Sequence, residues 1–72
     1  MLTAVKNVLR GEMRKYGITI VDMATVVGVS VGTMSHKLTG KTEFTLTEAR
    51  RILKHINAHG ESHTIESLFY QE

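Results

Sequence analysis

ITIVDMATVVGVSVGTMSHKLTGK, residues 18–41, decides the fold. Thr19 is a helix-capping residue, Asp22 stands three positions on, where a capping box wants an acid, and Ile20, Met23, Ala24 and Val27 recur at helical spacing. Gly28 must stop that helix, because glycine alone enters the left-handed turn without a steric penalty. Ser30 then caps a second helix from Val31 to about Thr39, with Met34 and Leu38 inward and Gly40 closing it. Two helices joined by Gly28-Val29-Ser30 make a helix-turn-helix over about 19–39, and the small Ala24 lets the axes approach closely.

Outward from this unit the pattern stays helical. Leu2, Val5, Leu9, Met13 and Tyr16 form one stripe, predicting helix 1 over about Leu2 to Tyr16, with Arg10, Gly11, Arg14 and Lys15 facing away and Gly17 ending it. Thr45-Leu46-Thr47-Glu48 is a T-x-x-E capping box, with Phe44 just outside it to pack back onto the core. Leu46, Ala49, Ile52, Leu53 and Ile56 are the expected buried stripe of helix 4, Arg51 and Lys54 point outward, and Gly60 ends it. A short last helix, about Thr64 to Tyr70, offers Ile65, Leu68 and Phe69. No stretch shows strand alternation, so the expectation is an all-α domain of five helices spanning residues 1–72.

At 72 residues the chain is one small domain, at a size where a single core is barely sufficient and a partner often adds stability. It contains no cysteine, which excludes disulfides, zinc fingers and thiol nucleophiles. No apolar run reaches the roughly 20 residues of a membrane span, and the N-terminus lacks a signal-peptide core, so a cytoplasmic location is expected. The net charge is only +2, but it is unevenly placed. All nine Lys and Arg precede residue 55 and face four acidic residues there, whereas the remainder holds three acidic residues and no Lys or Arg. A basic body with an acidic tail follows.

The helix-turn-helix, with Ala24, Gly28, Val29, Ser30 and Met34 at their spacings, resembles the phage repressor and Cro family, also called the XRE or lambda repressor-like family. LTGKTEFTLTEARRI, helix 1 and the closing ESLF resemble small temperate-phage members too. The resemblance implies a compact lambda repressor-like domain that binds double-stranded operator DNA in a bacterial host cell and regulates transcription in a phage or prophage switch. Its partners would be a second copy or the phage's main repressor. Carried over by position, the second helix of the motif enters the major groove with Val31, Gly32 and His36 toward bases and Thr33 and Ser35 nearby. Lys37, Thr39, Lys41 and Thr42 are placed for phosphates, and the N-terminus of the first motif helix offers N–H groups to one more. Two departures stand out: Ile20 occupies a position where many members carry a phosphate-touching Gln, and Val31-Gly32 opens the reading helix with little polar surface.

Other readings come from the residues themselves. Val21 and Val26 fall off the inward stripe of the first motif helix, and with Ile20 and Val31 they would make an apolar patch of the sort that marks a protein interface. An antirepressor or modulator acting by binding the main repressor is therefore the alternative function, and a toxin–antitoxin regulator is a weaker third. His55, His59 and His63 are spaced four apart, but Gly60 interrupts the helix and no carboxylate lies between them at a ligand position, so they are expected as surface histidines without metal. With no nucleophile elbow, phosphate loop or paired carboxylates, no enzymatic activity, cofactor or small-molecule substrate is expected.

Overall fold

The computed structural model describes residues 2–5 and 7–71. In chain order the elements are β1 (Leu2–Ala4), α1 (Val8–Lys15), α2 (Ile20–Val27), α3 (Val31–Leu38), α4 (Leu46–Asn57), α5 (Ile65–Leu68) and β2 (Phe69–Gln71). The described residues are mostly helical, with five helices and a small two-stranded sheet, so the expectation of an all-α domain is corrected.

The correction falls at the two ends. Helix 1 begins at Val8 rather than near Leu2, because Asn7 takes a left-handed conformation (φ 68°) that breaks a right-handed helix and that asparagine tolerates better than most residues. Lys6, inside the expected helix, lies outside the described residues. The segment before it pairs antiparallel with the chain's end, Leu2 opposite Gln71, Thr3 opposite Tyr70 and Ala4 opposite Phe69. Leu2 also exchanges two backbone hydrogen bonds with Phe44, at 2.9 and 2.6 Å. The last helix likewise stops at Leu68, where Phe69 turns extended, a conformation that suits aromatic residues.

The middle of the chain matches its signals. Thr19 and Asp22 form the reciprocal capping box of α2, and Thr45 and Glu48 that of α4. Gly17, Gly28, Gly40 and Gly60 all carry positive φ beyond helix ends. α2 packs against both α3 and α4. The core holds Leu9, Met13, Ile18, Met23, Ala24, Val27, Met34, Phe44, Ala49, Ile52, Ile56, Leu68 and Phe69. Phe44 packs edge-to-face on Phe69 with centroids 5.2 Å apart, tying the α3–α4 loop to the C-terminal strand.

Individual side chains depart from the helical stripes. Leu46, expected inside, is 48% exposed, while Ala49, Ile52 and Ile56 carry the buried face of α4. Val26 is half-buried and packs on the core rather than standing clear of it. Arg51 reaches back 3.1 Å to the Val27 carbonyl, satisfying an acceptor at the C-terminus of α2. No helix among the described residues is long and apolar enough to cross a membrane.

Candidate nucleic-acid interface

The turn between α2 and α3 is fixed from both sides. Gly28 (φ 87°) ends α2, its N–H and that of Val29 both bonding to the Ala24 carbonyl at 2.8 and 3.0 Å. Ser30 then starts α3, its hydroxyl oxygen accepting the Thr33 N–H at 3.1 Å and donating to the Thr33 hydroxyl at 2.9 Å. The buried Met34 and Lys37, together with the half-buried Leu38, anchor α3 inward. Its opposite face is left to solvent.

On that face Val31 is 43% exposed, Gly32, Thr33 and His36 are exposed, and Ser35 is half-buried. A Cβ added at Gly32 would meet nothing within 4 Å, so the absence of a side chain there is not imposed by packing. At the far end Gly40 reverses the chain. The Lys41 N–H bonds back to the His36 carbonyl at 2.9 Å, which leaves the Lys41 and Thr42 side chains exposed beside the helix. The Thr39 hydroxyl donates to the same carbonyl at 3.2 Å, so its proton is committed to capping rather than to a phosphate.

Lys37 is the main correction among the expected phosphate contacts. Its side chain turns inward, and its ammonium donates to the Glu43 carbonyl at 2.7 Å and to the Glu48 carboxylate at 3.0 Å, 5.6 Å from the centre of the Phe44 ring. The residue is 9% exposed. Burial alone would raise the Glu48 carboxyl, but hydrogen bonds from the Thr45 N–H and Lys37 outweigh it and hold the group below its usual range. The N-terminus of α2 is altered too: Thr19 Oγ1 takes the Asp22 N–H, and the Asp22 carboxylate, held below its usual range by the Thr19 N–H, puts negative charge where a phosphate was expected.

Comparison with protein families, with curated proteins and with solved structures gives no match. The functional reading therefore rests on the residues and their geometry.

Among the described residues, Arg10, Arg14, Lys41, Arg50 and Lys54 are exposed cations with no ion-pair partner, whereas Lys15 and Lys37 are paired with Glu61 and Glu48. Arg10 and Arg14 were expected merely to face away from the helix 1 core. They line a surface hollow with Met13, Ile18, Ile20 and Leu38, so two arginine side chains share a hollow with Ile20. Only the folding of α1 against the α2 N-terminus brings them there.

The expected partner patch is divided. Val21 is 56% exposed, and Val31 is the other strongly exposed valine of the motif. Ile20 belongs to the hollow with Arg10 and Arg14, while Val26 lines a different one with Arg51, Lys54, His55 and Ala58. Val26 lies five residues after Val21, about 140° around an α-helix, so the two do not share a face.

Proposed function

We propose that this protein is a helix-turn-helix transcriptional regulator that binds operator DNA through α3, in a phage or prophage switch of the kind its sequence resembles. The supporting observation is the exposed row Val31, Gly32, Thr33 and His36, immediately after a turn fixed by Gly28 and Ser30, with Lys41 and Thr42 at its far end. A helix presented this way suits the major groove, where Val31 meets a thymine methyl, Thr33 bonds to either base type and His36 reaches a purine acceptor. Phosphate contact comes from Lys41, Thr42 and the unpaired arginines Arg10 and Arg14, which take over the position where Ile20 offers no hydrogen bond.

The test is fluorescence-anisotropy titration of the isolated protein against the duplex upstream of its own gene, repeated across a salt series. Lys41→Ala should lower the logarithmic salt slope by about one unit, and His36→Ala should relax preference at one base pair while leaving the slope nearly unchanged. Equal profiles for the two variants would refute the division into reading and anchoring residues.

The exposure of Val21 and Val31 favours a second reading, that the protein modulates the main repressor by binding it. Val21→Glu should then abolish that complex while leaving the helical content intact. A complex unaffected by Val21→Glu would remove this reading.

A further inference from the structure

On the face built by α1 and the α4–α5 loop, Glu12, Glu61 and His63 place three donor atoms within 4.8 Å of one another. His63 Nε2 lies 3.2 Å from Glu12 Oε2 and 3.7 Å from Glu61 Oε1. Glu12 Oε2 and His63 Nε2 are both shielded from solvent, yet neither makes a directed hydrogen bond. The His63–Glu12 distance matches that of ligands sharing one ion, since metal bonds of about 2.0–2.2 Å at near-tetrahedral angles set neighbouring donors about 3.3 Å apart, and the His63–Glu61 distance is within a few tenths of an ångström of it.

The surroundings hold His63 in the form that binds metal. Asn57 grips its backbone from both sides, accepting the His63 N–H at 2.9 Å and donating to its carbonyl at 3.0 Å. Ser67 Oγ accepts the Thr64 N–H at 3.0 Å and lies 2.9 Å from the Thr64 carbonyl and 2.8 Å from His63 Nδ1; with its one proton on the carbonyl, the contact to the ring is made by the ring's own Nδ1–H. The Nε2 lone pair is thereby turned toward the two carboxylates, the arrangement by which an outer hydrogen bond fixes the tautomer of a ligating histidine. Glu61 is oriented in the same way. Its Oε2 accepts from the Lys15 ammonium at 2.7 Å and from the Tyr16 hydroxyl, which leaves Oε1 for the site.

We infer that Glu12, Glu61 and His63 form a binding site for one divalent transition-metal ion of the zinc class, held by one imidazole nitrogen and two carboxylate oxygens with water completing the shell. A single proton on Nε2 joins two of the three converging atoms, whereas a divalent ion binds all of them. The nitrogen donor selects against magnesium and calcium, which prefer oxygen. Bound there, the ion ties α1 to the loop before α5, a staple for a cysteine-free domain of this size.

The experiment is calorimetric titration of the full chain with zinc chloride, with magnesium chloride as the comparison, alongside the visible spectrum of a cobalt-loaded sample. The expected result is one zinc per chain, no magnesium binding, and affinity weakened at least about tenfold by His63→Gln or Glu12→Gln. The His55→Gln/His59→Gln double variant should bind as the parent does. Circular dichroism checks that each variant is folded, and proton–nitrogen spectra of the unmutated protein should show His63 Nε2, alone among the ring nitrogens, shifting with zinc. No zinc binding, or binding that survives His63→Gln and disappears in the His55→Gln/His59→Gln variant, would overturn the assignment. So would a His63 ring protonated on both nitrogens and unmoved by zinc, which would mark the cluster as an ion pair only.

Discussion

Replacing Lys37 with methionine keeps most of the apolar stem and removes the ammonium that joins α3, the α3–α4 loop and α4. Two charge-assisted contacts disappear, one to the Glu43 carbonyl and one to the Glu48 carboxylate. Hydrogen bonds to charged groups contribute about 1.5–3 kcal/mol each, and the side chains of the pair, 11% and 17% exposed, are not screened as a surface bridge would be. Glu48 keeps its bond from the Thr45 N–H, so the loss stops short of that for a fully stranded buried charge. We expect Lys37→Met to cost about 2–3 kcal/mol, or about 10–20 °C in Tm for a domain of this length. Lys41→Met, which changes an exposed side chain, should stay within about 0.5 kcal/mol. Urea unfolding followed by far-UV circular dichroism measures both. The Glu48 carboxyl is depressed in the fold, so its contribution is fully present above the unfolded value of about 4.3 and is lost as pH falls through the lower folded value. The gap between parent and Lys37→Met should therefore narrow below about pH 4. If Lys37→Met is as benign as Lys41→Met and instead lowers the salt slope of DNA binding, Lys37 is a phosphate ligand and the reasoning fails.

Other outcomes follow from single positions. Gly11 lies within α1 and an added Cβ meets nothing within 4 Å, so Gly11→Ala should raise stability by about 1 kcal/mol in the same urea assay. Ala24 is 3% exposed between α2 and its neighbours, so Ala24→Leu should cost about 1–3 kcal/mol through overpacking, read as a lower midpoint with unchanged slope. Gly28→Ala should lose about 1–2 kcal/mol by thermal unfolding, since φ 87° strains any side chain.

What the sequence could convey depended on the range of the interaction. The caps at Thr19, Ser30 and Thr45 and the turn at Gly28 act within three or four residues, and the structure keeps each of them. The strands were hidden because Leu2–Ala4 and Phe69–Gln71 are three residues each, too short to alternate, and pair only across the whole length of the chain. In helix 1, the apolar Leu2 and Val5 continue the helical stripe in sequence, but the left-handed Asn7 breaks the helix, Leu2 joins the sheet, and Val5 lies just beyond the strand with its N–H on the Leu68 carbonyl. Lys37 followed the same logic: its place on the helix face suggested solvent, but a side chain that long folds back to an acid eleven residues on. The cluster of Glu12, Glu61 and His63 joins residues some fifty positions apart. The spacing of the histidines showed only a row of His55, His59 and His63, read as surface residues without metal, and the rings of the first two pack edge-on with centroids 5.5 Å apart.

In the function proposed, the outward face of α3 is the surface that meets DNA. Amide and methyl chemical-shift mapping of the isolated protein, titrated with the duplex upstream of its own gene, tests it most directly. The largest shifts are expected at Val31–His36, followed by Lys41, Thr42 and the Arg10 and Arg14 hollow, all diminishing as salt is raised. Shifts confined to the α4–α5 loop, or no shifts at low salt, would contradict it.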